Sequence, residues 1–258
     1  MRPFAILIST IFLLPLCVRG NSTSTVTTTT TTTTNAPVTT TTTIATTTTT
    51  VRAETMPTST GQNTRCPFNQ GMTNGIRRRF LDMHNIRRRG LAIGEATTTN
   101  NGRMLRSSNM MKLNWNCGLE AAALQHAMRC TFAKSDVATR PDNGENQATI
   151  AAAASYRAAA EQAVRQWWKT IRTTGGVGMN RLYQQSFVGT PIDSFTQMAW
   201  ATTRRLGCAV ARCNGRYNVV CRYSERGNIV GERIYQRGRP CSRCPSGTTC
   251  VDSLCKWN

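Results

Sequence analysis

Carboxylates are scarce in this chain: 12 Asp and Glu stand against 32 Lys and Arg, a formal charge of +20 over 258 residues. Most basic side chains therefore lack an acidic partner. The excess is largely arginine and includes the runs Arg77-Arg78-Arg79 and Arg87-Arg88-Arg89. Such a surface attracts polyanions, or serves only as a solvated face. Histidine is scarcer still, with 2 in the chain, His84 and His126. Both fall on apolar helical faces, and no acid or amide is placed by sequence to orient either ring. That argues against a histidine-based triad and for two core histidines. No P-loop, dinucleotide fingerprint or H-E-x-x-H string occurs. Long apolar runs are also missing. Phe4–Leu16 carries no charged residue, yet is well short of the roughly 20 residues a membrane span requires.

What that run does fit is an export leader. Arg2 precedes it, and Val18 and Gly20 occupy the minus-three and minus-one positions of a cleavage site, so residues 1–20 are expected to be removed. Cys17 leaves with them. The ten remaining cysteines are an even number in an exported chain, which reads as a disulfide framework. Zinc is the rival for Cys241-Ser242-Arg243-Cys244, but Cys250 and Cys255 are five apart and no histidine follows residue 126. Disulfides are therefore expected throughout.

Residues 21–62 have no material for a core. Of residues 21–60, 23 are threonine and none is aromatic. This composition predicts a disordered, O-glycosylated stalk, with Asn21-Ser22-Thr23 as an N-glycosylation sequon at the new N-terminus. Residues 63–235 are sized for one globular domain. Ile76, Phe80, Met83 and His84 share one face of a helix, with the arginines mostly on the other. Leu119, Ala122, Ala123, His126, Ala127 and Cys130 mark a second helix, and Tyr156 to Ile171 a third, closed by 173–176. A short helix around 194–202 precedes strands 206–212 and 217–223, joined by a turn at Asn214-Gly215. Helices followed by a closing hairpin suggest a segregated α+β fold. Residues 236–258 form a cysteine-dense extension too short to fold without its bridges.

Four strings then belong together: His84-Asn85-Ile86-Arg87-Arg88; Gly144-Glu145-Asn146; Asp193 through Phe195-Thr196-Gln197 to Trp200; and Cys221-Arg222-Tyr223 running on to Gly227-Asn228. In this order, with Leu206-Gly207-Cys208 between the last two, the chain resembles the CAP superfamily over about residues 66–235. That group holds cysteine-rich secretory proteins, venom antigen 5 and plant pathogenesis-related proteins. The lead-in Met110 to Glu120 and the tail Gly238 to Cys255 are similar to nematode activation-associated, venom-allergen-like members. The resemblance implies a three-layer α-β-α sandwich around an antiparallel sheet.

It also implies a cleft of two histidines and two glutamates able to hold a divalent metal. This sequence departs from it, with Lys134 and Ser194 at the histidine positions and Thr170 at one glutamate, leaving Glu145 alone. No metal and no cofactor are expected; either a Lys134–Glu145 ion pair fills the cleft, with Ser194 and Thr170 as neutral hydrogen-bonding neighbours, or the cleft has simply decayed. By register with the family, the bridges are expected to be Cys130–Cys208 and Cys213–Cys221, with Cys66–Cys117. Cys241, Cys244, Cys250 and Cys255 would pair among themselves in an order left open.

Three functions compete. A secreted protein that engages an extracellular or host cell-surface partner is the first, with sulfated glycans as a further arginine-bound partner and nucleic acid excluded by compartment. A carrier of sterol or fatty acid is the second, using Leu182, Tyr183 and Phe187 as its apolar residues. An enzyme is the third, and the missing histidines oppose it.

Overall fold

The computed structural model describes residues 53–54, 61–174 and 181–258. The expected leader, Asn21 and nearly all of the threonine-rich segment lie outside those residues.

Three long helices form where apolar periodicity and capping coincide. Helix α1 is Asn74–Ala92, α2 is Cys117–Ala127 and α3 is Tyr156–Thr173. Side-chain oxygens of Thr73, Asn116 and Ser155 accept the backbone N–H three residues on, satisfying donors that a helix start leaves free. Helix α4, Ile192–Ala199, opens after Pro191 and ends at Trp200. The sequence placed it two residues later and longer. It stops early because the carbonyls of Met198, Trp200 and Ala201 turn to the Arg88 guanidinium.

The main sheet contains β1 (Ala53–Glu54), β2 (Asn114–Trp115), β3 (Gly144–Ile150), β4 (Arg205–Cys213) and β5 (Arg216–Ser224). Its order is β1-β4-β5-β3, antiparallel throughout, with β2 adding a short parallel pairing to β4. Ala53–Glu54 was assigned to the stalk; it pairs instead with Arg212 and Cys213, because the free edge of β4 offers unpaired backbone groups. Strand β3 was not foreseen.

Side chains alternate across the sheet as strand geometry requires. Leu206, Cys208 and Val210 of β4, with Tyr217, Val219, Cys221 and Tyr223 of β5, join the core built by α1 and α3. Ala209, Ala211, Cys213 and Val220 pack on Ala123 and Ala127 of α2. Both sheet faces are covered, giving a three-layer α-β-α sandwich. The α2 seam is tight: a Cβ on Gly207 would stand 2.2 Å from the Glu120 backbone nitrogen.

Arginine enters the core from α1, contrary to the expectation of an apolar face opposed to a basic one. Arg77 and Arg88 are both fully buried. Arg77 donates Nε to Glu120 Oε2 at 2.8 Å and a terminal nitrogen to Oε1 at 2.6 Å, while Trp115 Nε1 donates to the same carboxylate at 2.7 Å. Among the described residues Arg88 has no carboxylate partner. It donates to five carbonyl oxygens, those of Met111, Met198, Trp200, Ala201 and Thr203, at 2.8–3.2 Å. Burial pulls its pKa down to about 9, which leaves it charged at neutral pH.

The bridges correct two expected pairings. Cys66 is bonded to Cys117, but Cys130 is bonded to Cys213 and Cys208 to Cys221. The reason is strand register. A two-residue turn at Asn214 and Gly215, both with positive φ, sets Cys208 opposite Cys221 and Cys213 opposite Arg216. Cys213 and Cys221 therefore cannot meet, and Cys213 lies against the end of α2. The tail bridges are Cys241–Cys250 and Cys244–Cys255.

The extension forms a hairpin of β6 (Thr248–Val251) and β7 (Leu254–Trp257) docked on the domain. Cys255 donates its N–H to Met110 and accepts from Lys112, while Leu254 is buried in the second core cluster. Among the described residues no helix is long and apolar enough to cross a membrane.

Replacing Arg88 by Met should strip the carbonyls of Met111, Met198 and Thr203 of their donor, while Trp200 and Ala201 keep backbone N–H partners. It should lower unfolding stability by about 3–5 kcal/mol, read from urea denaturation of the oxidised protein. Proteolytic mapping without reduction should recover peptides joined through Cys208–Cys221 and Cys130–Cys213; the alternative pairings would contradict the register.

Candidate functional site

The sequence motifs converge on a buried polar framework. His84 on α1 places Nδ1 2.8 Å from the Phe80 carbonyl and Nε2 2.9 Å from the Tyr223 hydroxyl on β5. A carbonyl only accepts, so Nδ1 carries the proton, and Nε2 accepts from Tyr223. The tyrosine oxygen in turn accepts from Asn146 Nδ2 at 3.2 Å, and the same amide donates to the Ser194 carbonyl at 2.9 Å. One chain of hydrogen bonds thus ties α1, β5, β3 and α4. Burial lowers the His84 pKa to about 3, so the ring is neutral and structural.

The other motif residues hold backbone in the same way. Asn85 pairs with both backbone groups of Leu113, at 2.8 and 3.0 Å. The Thr196 hydroxyl donates to Asn228 Oδ1 at 2.7 Å, and Asn228 Nδ2 donates to the Asp193 carbonyl at 2.9 Å. Gln197 Oε1 accepts from Gly227 N at 3.2 Å and fills the space above Gly144, where a Cβ would lie 1.9 Å away. Trp200 is buried in the second core cluster.

Beside this framework lies a cleft of about 400 Å³ whose lining includes Lys134, Glu145, Tyr183 and Asp193. The anticipated pairing of Lys134 with Glu145 is not the one formed. Lys134 Nζ lies 3.7 Å from Asp193 Oδ2. Glu145 is fully buried and its Oε2 lies 2.7 Å from Arg222 Nε. Its Oε1 accepts from the Ser135 N–H at 2.6 Å, and Oε2 accepts from the Ser135 hydroxyl at 3.1 Å. Arg140 steadies Ser135 through its hydroxyl and its carbonyl. Glu145 still raises the Lys134 pKa from a distance, as Asp193 does more strongly, but desolvation by the cleft wall outweighs both and lowers it.

Asp193 is the residue that sequence reasoning missed. It accepts from the Tyr183 hydroxyl and, at 3.0 Å, from the Gly189 N–H. Burial and this carboxylate together push the Tyr183 pKa up. Asp193 directly precedes Ser194, so the signal was present: an isolated cation at position 134 requires a nearby acid.

Thr170 and Ser194 do not line the cleft. The Thr170 hydroxyl donates back to the Trp167 carbonyl at 2.8 Å, and Ser194 supplies its carbonyl to Asn146. These donors do not suit a divalent cation. An ammonium occupies the Lys134 position, and both Glu145 oxygens are engaged. Elsewhere among the described residues, the cluster Cys241, Cys244 and Cys255 has ligand-like spacing, but those sulfurs are in disulfides. Two of the residues proposed to carry lipid are also committed, Tyr183 and Phe187, which are buried in the second core cluster with ring centroids 5.8 Å apart; Leu182 is half-buried and joins no core cluster.

Comparison with known proteins agrees with this architecture. The family model described as CAP, the cysteine-rich secretory protein family, matches residues 81–223. The Ancylostoma secreted protein of Ancylostoma caninum is 37% identical over 199 residues, covering 75% of this chain and 47% of that protein. The chain thus spans about half the length of this relative. Hookworm platelet inhibitor 1, also of Ancylostoma caninum, is 28% identical over 74% of this chain and 86% of that protein. The crystal structure of Na-ASP-1 superposes with a TM-score of 0.71 at 36% identity, covering 77% of this chain and 51% of that one.

The His84 framework predicts an acid limb of stability. The folded pKa of about 3 lies below the ordinary 6.5, so between those values the unfolded chain binds the extra proton. Stability from this group is complete above about pH 6.5 and is lost as pH falls toward 3. Thermal melts from pH 7 to 4 should show this slope, and His84→Gln should flatten it even if its neutral-pH melting temperature is lower.

Proposed function

The chain belongs to the cysteine-rich secretory protein (CAP) family of secreted, extracellular proteins, and from that premise we propose that it is a non-enzymatic effector that engages a cell-surface protein through its exterior. In this reading residues 1–20 direct export and residues 21–52 are a glycan-bearing spacer before the CAP domain, which takes Ala53–Glu54 as its edge strand and runs to about residue 235, with the extension at 236–258.

The observation that carries the proposal is the conversion of the cleft. Where the family resemblance calls for metal donors, this chain holds two ion pairs, Lys134–Asp193 and Glu145–Arg222. Neither leaves an activated nucleophile or an open coordination position. His126 Nε2 is engaged with the Ala133 carbonyl at 2.9 Å, and His84 is sealed in the framework. Chemistry in the cleft is therefore unsupported, and the surface remains. A relative named as a platelet inhibitor supports a blood-cell surface as the place to look. The carrier alternative is less supported, since Tyr183 and Phe187 are buried in the second core cluster and Leu182 alone is half-buried outside it.

The test uses the full secreted chain, fluorescently labelled, on platelets and leukocytes. Saturable binding is expected, unchanged by a metal chelator and abolished by prior trypsin treatment of the cells. Binding that requires added zinc, or that survives trypsin treatment, would overturn the proposal.

A further inference from the structure

We propose that Arg103, Arg106, Arg237 and Arg239 form a binding site for a sulfated glycosaminoglycan segment. The inference goes beyond the protein-partner reading and does not rest on it.

The four guanidinium-bearing residues line one cavity of about 520 Å³, and no acidic residue lines it with them. All four are exposed. Other basic residues of this chain consume the few carboxylates: Glu161 serves Arg79, Arg157 and Arg165, Glu225 serves Arg204, and Asp252 serves Lys112. Among the described residues, none of the four cavity arginines joins an ion pair.

The backbone beneath them is fixed. Met104 N–H donates to the Ala96 carbonyl at 2.7 Å, and Ser107 N–H to Ala92 at 3.1 Å. Gly238 N–H donates to Arg106 at 3.1 Å, and the Tyr235 hydroxyl to Leu105 at 2.8 Å. Short bridges join Thr97 to Arg103 and Ser107 to Arg237. Two arginines thus come from the loop after α1 and two from the start of the extension, and ladder hydrogen bonds hold the two segments together.

Four like charges on separate, pinned segments repel one another in the free protein, and a multivalent anion relieves that repulsion. A guanidinium fork matches the oxygens of sulfate or phosphate bidentately, which an ammonium does not. The cavity lies within the roughly 300–1,000 Å³ of ligand sites, large enough for more than one anionic group. Outside the cell the polymer that presents repeated sulfates is a glycosaminoglycan, so it is the occupant the site fits.

The experiment measures binding of size-defined heparin oligosaccharides to the full secreted chain by calorimetry at several salt concentrations. One fourfold variant carries Arg103→Ser, Arg106→Ser, Arg237→Ser and Arg239→Ser. A control carries Arg78→Ser, Arg129→Ser, Arg172→Ser and Arg205→Ser, with the same loss of charge from exposed positions elsewhere. Melting temperature and near-ultraviolet circular dichroism verify that both fold.

The cavity variant should lose about tenfold or more in affinity and show a shallower salt slope, while the control changes by less than about threefold. Replacing the cavity arginines by Lys should give an intermediate loss, and unsulfated heparosan should not bind. Equal losses in the two Ser variants would show diffuse attraction and overturn the site, as would absence of heparin binding by the unaltered chain. A cavity variant that keeps heparin but loses phosphatidylserine vesicles would assign the arginines to a lipid headgroup surface and also refute the proposal.

Discussion

A buried guanidinium has to be surrounded by acceptors, and in this protein the acceptors of Arg88 are backbone. Its five carbonyl partners come from the stretch before β2, the end of α4 and the link into β4. Those passages are irregular, and without the cation the carbonyls of Met111, Met198 and Thr203 would be buried and unpaired, while Trp200 and Ala201 would keep one backbone donor each. Arg88 therefore fixes the seam where the two largest apolar clusters meet, with Met198 in one and Trp200 and Ala201 in the other. Asn85 pins Leu113 beside it. A chain so short of carboxylates satisfies this core cation without one.

That arrangement explains what could be read from the sequence. Helices α1, α2 and α3 were legible because caps and 3.6-residue periodicity agreed, and strands β4 and β5 because they are long, β-rich and joined by Asn-Gly. Strand β3 was not, since Gly144–Ile150 has little β-branched content and its burial comes from α3 and β5 packing around it. The arginine runs misled for a related reason. Charge patterning assigns them to solvent, yet a helix brings two of the six into the core, where Glu120 and five carbonyls receive them. The exchanged disulfides were within reach: counting residues outward from Asn214-Gly215 already sets Cys208 against Cys221.

The motif strings supply both the framework and part of the cleft: Glu145, Asp193 and Gln197 line it, while His84, Asn85, Asn146 and Thr196 do not. His84, Asn85, Asn146 and Thr196 hold helices and strands to one another by hydrogen bonds that do not involve the side chains of Lys134, Glu145, Asp193 or Arg222. Asn146 takes the carbonyl of Ser194 rather than its side chain, so it is indifferent to whether serine or histidine stands there. A framework of this kind can persist while the side chains beside it change sign and role. That is how a chain with family motifs intact can carry Lys134 paired to Asp193 in place of metal donors.

The hairpin of β4 and β5 has one more implication. Two-residue turns ordinarily set the register of the strands they join, so their length is constrained. Here Cys208–Cys221 clamps the strands to each other, and Cys130–Cys213 anchors the last residue of β4 to the segment after α2. The turn is thereby relieved of that duty. Asn214 and Gly215 are exposed, and additional residues between them would loop outward without moving a single core side chain. The tip is a place where this scaffold can acquire new sequence while its interior stays as it is.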